Sequence, residues 1–386
     1  MYKIVNLKYL AILAVLLVVI SSSATYLVLY PQLNDTSKYD NIVKLMEEHY
    51  LYDFDEADLQ DGAYAGIVAS LGDDYSYYMN AQGAQEFKAD NAGQTLLLGI
   101  TFAIHPDTGD VTVIYVQSQS AAAQSGIKAG DIIKSINGTD VKGLTNAQIA
   151  NLTQKNEDAT CNLTLDREGQ AVEISTKLCQ FVEDSVIYRN LGSVGYIEIT
   201  DFTSATSSQF KTAVEDLKSQ NVTAVVFDVR NNLGGLTDAL GSVLNEILPK
   251  GDAVRAKSKD GSISVLTHTT GNDWDVPMAV LTNEYTASSA EIFALAIRDF
   301  DKGALVGTKT FGKGVMQTTF SFNDGTAVKL TTAELVDKNG ETYNKIGITP
   351  DIEAEQSEYA VKYSAFITDE QDTQLQSALE YLKTKN

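Results

Sequence analysis

Ala224-Val-Val-Phe-Asp-Val-Arg-Asn-Asn-Leu-Gly-Gly-Leu236 is the stretch whose reading decides the fold. From Ala224 to Val229 it is apolar except for Asp228, the pattern of a strand buried on both faces. Arg230, Asn231 and Asn232 stop the run. The glycine pair Gly234 and Gly235 then opens a helix that the pattern carries from Thr237 to Leu248. Strand, glycine turn, helix is the unit of α/β organisation. The alternation continues on both sides. Val194 to Ile199 and Val276 to Asn283 read as strands. Ser204 to Gln220 reads as an amphipathic helix with Phe210, Val214 and Leu217 on one face, and Ala290 to Asp299 as another helix before the strand Ala304 to Gly307.

Three turns in this region hold groups capable of chemistry. Gly234 and Gly235 put bare N–H groups at a helix N-terminus, where an anion is stabilised. The phosphate-loop patterns Gly-x-x-x-x-Gly-Lys-Ser/Thr and Gly-x-Gly-x-x-Gly are absent, so an oxyanion hole fits this turn better than a nucleotide loop. Ser288 and Ser289 stand at a strand-to-helix turn, where a serine serves either as helix cap or as nucleophile. Lys313 lies between Gly312 and Gly314, followed by Gln317. Taken alone, that lysine reads as a solvated turn charge.

Composition narrows the choices. The chain has 386 residues, enough for two or three domains. A net charge of −22 argues against nucleic acid as a partner, because phosphate binding needs a basic face. The only histidines are His49, His105 and His268, and neither C-x-x-C nor H-E-x-x-H occurs, so no metal or other cofactor is expected. No histidine stands near Ser288 in a motif, so a nucleophilic serine there would need a base of another kind, such as a lysine. A lysine ordinarily titrates near ~10.4, so action near neutral pH requires the ammonium to be disfavoured by about 4 kcal/mol, which burial supplies. Gln317 suits the role of holding the amine, since it adds no charge.

At the amino terminus, Lys3 and Lys8 precede an apolar run from Tyr9 to Tyr30 of about 22 residues, enough to span a bilayer as a helix. The lysines would stay in the cytoplasm, placing the remainder outside. An uncleaved anchor is the favoured reading. A signal peptide cleaved near Ser22-Ser23-Ala24 is the alternative. From about Lys38 to Asp90 the spacing is helical, with Ile42, Val43, Leu45 and Met46 in a first helix and Asp61 to Leu71 in a second. Tyr75, Tyr77 and Tyr78 read as packing residues.

From Gly93 to Leu178 the pattern changes to short strands, among them Leu96 to Phe102 and Val111 to Val116. A short Ala-rich helix closed by Gly126, a turn at Gly130-Asp131 and an Asn137-Gly138 hairpin turn follow. Thr145 to Lys155 reads as a helix with a Thr145/Asn146 cap. The hairpin from Cys161 to Leu178 sets Cys161 opposite Thr176, too far from Cys179 for a bridge. The run from Ala122 to Gly138 resembles a PDZ domain, with Ala121 where the family usually has proline. The resemblance implies that a protein tail adds as a strand to a free sheet edge, its carboxylate held by the backbone of Leu98, Gly99 and Ile100.

Thr286-Ala-Ser-Ser-Ala-Glu-Ile-Phe-Ala294, Phe311-Gly-Lys-Gly-Val-Met-Gln317 and Asp228-Val-Arg-Asn-Asn-Leu-Gly-Gly235 together resemble the carboxy-terminal processing (tail-specific) peptidases. Asp74-Tyr-Ser-Tyr-Tyr78, Leu330-Thr-Thr332 and Gly347-Ile-Thr-Pro-Asp351 add to the match. The departures are Thr286 for serine and Asp74 for proline. The resemblance implies Ser288 as nucleophile, Lys313 as base and Gln317 as its orienting residue, with oxyanion donors drawn from Gly234, Gly235 and Ser289. It also implies cleavage of proteins near a free carboxyl terminus, gating by the PDZ unit, and a tendency to homo-oligomerise.

The expected architecture is multi-domain α/β. A cytoplasmic stretch (1–8) and a membrane anchor (9–30) precede a helical region (31–92). A β-barrel-like PDZ domain (93–179), a crotonase-like α/β protease core (180–367) and an amphipathic helix (368–386) follow. Single-pass attachment to the cell membrane with the catalytic part outside is the expected location. The alternative function is a PDZ and crotonase-like binding or scaffold protein without catalysis.

Overall fold

The structure is a computed structural model, which describes residues 14–25, 38–153 and 160–385. The chain divides into two units, Met1–Ala63 and Tyr64–Asn386. In the first, residues 14–25 are helical, followed by α1 (Lys38–His49) and the start of α2 (Glu56–Ala69). Among the described residues no helix is long and apolar enough to cross a membrane. Much of the expected anchor at 9–30 lies outside the described residues. α2 begins five residues earlier than the periodicity indicates, because the Asp55 carboxylate accepts the Ala57 N–H at 2.8 Å and starts the helix there.

Among the described residues the second unit holds three large sheets and a two-stranded one that pairs Gln94–Thr95 with Phe181–Val182. The PDZ sheet is antiparallel, with β2 (Ile100–Ile104) at its edge, then β3 (Val111–Val116), β4 (Ile132–Ile136), β5 (Thr160–Arg167) and β6 (Gln170–Lys177). The turn chemistry is as expected. Asn137 and Gly138 both take positive φ, 51° and 80°. The β5/β6 register pairs Cys161 with Thr176. Helix α4 (Asn146–Thr153) is capped reciprocally, Gln148 N–H on Thr145 Oγ1 and Thr145 N–H on the Gln148 side chain. Residues 154–159, which include the expected end of this helix, lie outside the described set.

The central sheet carries the catalytic motifs. Its order is β7 (Val186–Asn190), β8 (Val194–Ile199), β9 (Ala224–Asp228), β12 (Met278–Thr282), β13 (Gly303–Gly307) and β16 (Ile352–Glu353); only the β7/β8 pair is antiparallel. Every residue of β9 and β12 is buried, as a sheet covered on both faces requires. Alternate side chains of β9 serve different cores. Val225 and Phe227 pack with Phe210 and Phe293 under α5 (Thr206–Ser219), α6 (Thr237–Asn245) and α7 (Ser289–Asp299). Ala224 and Val226 pack with Leu375, Ala378 and Leu382 of α9 (Thr373–Lys383) on the other face. The carboxyl-terminal helix therefore docks on the core, where its apolar stripe is spent.

The third sheet is antiparallel and built around β15 (Ala327–Val336), which pairs with β14 (Val315–Ser321), with β10 (Gly251–Ser258) and with β1 (Tyr77–Met79); β11 (Ile263–Thr269) completes it beyond β10. β1 lies in a stretch that reads as helical from sequence. Its three residues are taken up by the edge of β15, where tertiary pairing overrides local pattern.

Candidate active site

Ser288 sits between β12 and α7 with φ 56° and ψ −121°. A non-glycine residue there costs on the order of 1–3 kcal/mol and persists only where its surroundings enforce it. This is the strained strand-to-helix elbow that lifts a nucleophile out of the backbone. Ser288 stands at the N-cap of α7 and forms a capping-box pair with Glu291. Two neighbours fix the elbow. Thr286 is fully buried and donates its hydroxyl to Val229 O at 2.9 Å. Asn232, also fully buried, accepts the Ala287 N–H on its carbonyl at 2.9 Å and donates its side-chain amide to Ile199 O at 2.7 Å.

The hub of the site is Glu291, which has no exposed surface. Its Oε2 accepts the backbone N–H of Ser288 at 2.9 Å and of Lys313 at 2.8 Å. Its Oε1 accepts the Gly312 N–H at 2.8 Å and the Thr310 hydroxyl. Burial pushes this carboxyl above the usual carboxylate range, and the four hydrogen bonds pull the other way. One carboxylate thus ties the serine elbow to the lysine turn. That role is legible in sequence only as the motif position three residues after Ser288.

The half-buried Lys313 amine is lowered, chiefly by burial, while the charges of Asp73 and Glu291 oppose the shift. Its Nζ stands 4.5 Å from the centre of the Tyr75 ring. The Tyr75 segment is therefore part of the site, which corrects its reading as packing alone. β1 brings it there by pairing with β15, and Ser76 Oγ accepts the Thr331 N–H at 2.9 Å. No hydrogen bond joins Lys313 Nζ to Ser288 or Gln317 among the described residues. Gln317 follows a bulge in β14 and donates its amide to Thr331 Oγ1 at 3.2 Å, and no partner takes its side-chain oxygen among the described residues. Catalytic contacts are commonly long until substrate is bound.

The glycine turn meets the elbow at very close range. A Cβ on Gly234 would lie 2.7 Å from Ser288 Cβ and 2.9 Å from Ser289 N; one on Gly235 would lie 2.4 Å from Phe202 O. Ser289 Oγ donates to Gly235 O at 2.9 Å, so this serine fastens the turn rather than pointing into the site. The three expected oxyanion donors then separate. Gly234 gives its N–H to Asn232 Oδ1 at 2.8 Å, whereas no partner takes the N–H of Gly235 or Ser289 among the described residues.

On the PDZ unit, Gly99 has φ 81°, and a Cβ there would fall 2.0 Å from Ser120 Cβ. Leu98 O and Gly99 O are engaged by Ala122 and Gln117, while no described partner takes the N–H groups of Leu98 and Gly99. β2 borders the sheet beside this turn, and among the described residues no strand pairs with its outer edge. Among the described residues no group of histidines, cysteines and carboxylates could hold a metal ion.

A strained serine elbow, a half-buried lysine and a turn with two free N–H groups on an α/β core are the parts a serine hydrolase site requires, here accompanied by a PDZ unit. Residues 193–354 match the model of peptidase family S41, residues 97–178 the PDZ domain, and residues 21–83 the N-terminal domain of the activating protease CtpB. The carboxy-terminal processing protease CtpA of Bacillus subtilis is 31% identical over 331 residues, covering 84% of this chain and 70% of that protein. A probable CtpA-like serine protease of Staphylococcus saprophyticus is 29% identical over 332 residues, covering 85% and 67%. Among solved structures, a photosystem II D1 C-terminal processing protease has 27% identity and a TM-score of 0.50, covering 81% of this chain and 86% of that one. A putative S41 protease from Bacteroides fragilis shares the fold, with a TM-score of 0.61 at 19% identity over 87% and 91% of the chains. The chain belongs to peptidase family S41, the family of the carboxy-terminal processing peptidases, and is a serine-type peptidase.

Proposed function

We propose that this chain cleaves proteins near their carboxyl termini outside the cytoplasm, using Ser288 as nucleophile and Lys313 as general base. The observation that carries the reading is the shared Glu291 carboxylate, which sets the backbones of Ser288 and Lys313 against one oxygen. The neutral Lys313 amine takes the proton from Ser288 Oγ as that oxygen attacks the scissile carbonyl. The oxyanion forms against the free N–H groups of Gly235 and Ser289. Lys313, now an ammonium, returns the proton to the leaving amine, and the acyl-enzyme is hydrolysed by water through the same base. The Gln317 carbonyl oxygen accepts from Lys313 when the amine swings from Tyr75 toward Ser288. Leu233 and Phe311, 71% and 57% exposed beside the glycine turn and the lysine turn, offer apolar surface to substrate side chains.

The PDZ unit holds the substrate's tail. Its carboxylate sits on the Leu98 and Gly99 N–H groups and its backbone adds to the open edge of β2. The apolar run from Tyr9 to Tyr30 anchors the chain in the cell membrane as a single pass, with the catalytic part outside and no nucleic acid or cofactor involved. The test is turnover of a peptide with a free carboxyl terminus by purified Ser288→Ala and Lys313→Ala proteins. Both should lose cleavage while melting like the parent. Retained turnover in either would remove the assignment.

A further inference from the structure

The carboxyl-terminal limb of the chain runs from the PDZ unit to the catalytic core. Its first part, Lys362 to Phe366, lies against the turn that follows β2. The Phe366 ring is 4.9 Å from the His105 ring, and the Tyr363 ring is 5.9 Å from it. Asp107 accepts the Tyr363 hydroxyl at 2.6 Å and Lys362 Nζ at 2.8 Å. These residues close one end of a cleft of ≈ 510 Å³ whose other walls are Phe102 and Ile104 of β2 and Thr145 and Ala147 at the start of α4. The space between β2 and α4 is the groove where an added strand would lie.

We infer that Lys362–Phe366 is an internal occupant of the upstream end of this groove, which a substrate tail must displace. The inference rests on the reading of the PDZ unit as a tail binder and deepens it. A tail whose carboxylate is held at Gly99 runs antiparallel to β2 at ~3.3 Å per residue. Its last three residues face Ile100 to Phe102, and those before them reach the cleft that the limb closes. The limb meets the turn after β2 through side chains alone, exposed at Asp107 and Lys362 and half-buried at His105, Tyr363 and Phe366, and no backbone hydrogen bond joins it to β2 among the described residues. Such a contact competes with a tail without barring it.

Displacement has a route to the catalytic centre. Further along the same limb, Asp369 pairs with Arg189 at 2.6 Å and Asp372 with Arg230 at 2.8 Å. Arg230 is also held by Asp228 and begins the turn that ends in Gly234 and Gly235. The limb therefore joins the upstream end of the groove to the segment that positions the oxyanion donors.

The test uses the full chain carrying Ser288→Ala, so that probes stay intact. Its ligands are two fluorescein-labelled peptides ending in Ala-Ala-Val with a free carboxylate, one of three residues and one of eight, and an amidated form of the longer. Removing the occupant with Phe366→Ala should raise affinity for the longer peptide about ten-fold, the factor by which a mostly occupied groove lowers apparent binding. Tyr363→Phe, which keeps the ring and loses the hydroxyl's bonds to Asp107 and Lys362, should act in the same direction. The three-residue peptide should bind parent and variants alike. Equal effects on both lengths, or none on the longer peptide, overturn the occupant. If free-acid and amidated peptides bind equally, or neither binds, the tail-binding reading fails and the occupant fails with it.

Discussion

Ser288 and Lys313 donate their backbone N–H groups to the same atom, Oε2 of Glu291, at 2.9 and 2.8 Å. No hydrogen bond joins the two side chains among the described residues, yet both backbones are fixed to one buried carboxylate. In the proposed reaction Glu291 is therefore a positioning residue.

Glu291→Gln tests that role. The amide retains one acceptor oxygen but sets an NH2 group among four donors, so one side of the hub loses its hydrogen bonds. Misplacement on the ångström scale lowers kcat by about 100-fold, with a smaller change in KM. The charge of Glu291 raises the Lys313 amine, so its removal should also move the ascending limb of the pH–rate profile to lower pH. A merely structural residue would lower the rate without that displacement.

Gly234→Ala places a methyl group 2.7 Å from Ser288 Cβ at a backbone φ of +108°. The turn must move away from the elbow. Loss of kcat by about 100-fold is expected, with a destabilisation of about 1–3 kcal/mol measured by denaturant unfolding. Parent-like rates would show that the turn does not contribute to the oxyanion site.

Asp372→Ala opens the Arg230 clamp. Arg230 then keeps only Asp228 and Gln374, and α9 loses its N-cap, since Asp372 Oδ1 accepts the Leu375 N–H at 3.0 Å. Breaking a mostly buried ion pair from one side costs about 3 kcal/mol. Urea unfolding should show that loss. Amide exchange should increase in α9.

Glu198, on β8, has its carboxyl pushed up to about 7, first by burial and then by the neighbouring Asp228 charge. The folded state therefore favours the protonated acid. That contribution is fully present below the ordinary carboxyl range and is lost as pH rises through about 7. Glu198→Gln should match the parent near pH 5 and be more stable at pH 8 by about 2 kcal/mol, read from unfolding curves at the two values. Equal stability at both would place Glu198 in contact with water.

The α/β alternation, the PDZ turns and the glycine turn that carries Lys313 were legible because they rest on local signals. An all-apolar run marks β9, paired positive-φ residues mark the Asn137-Gly138 turn, and glycines flank Lys313. What was hidden depends on distant pairing. β1 is strand only because β15 offers an edge to Tyr77, and that pairing carries Tyr75 to the lysine. Asn232 reads as a turn residue, and its three-way role appears only when Ile199, Gly234 and Ala287 surround it. The division of oxyanion donors likewise needed the Asn232 bond that removes Gly234 from the pool.

The central claim is that Ser288 becomes nucleophilic through Lys313. The most direct measurement is covalent labelling of the purified protein with a fluorophosphonate, followed by mass spectrometry of the modified peptide, across pH. The account predicts a single label on Ser288, a rate that rises with pH through a midpoint below the ordinary lysine value, and no label in Lys313→Ala. Labelling on Ser289, or undiminished labelling of Ser288 without Lys313, would contradict it.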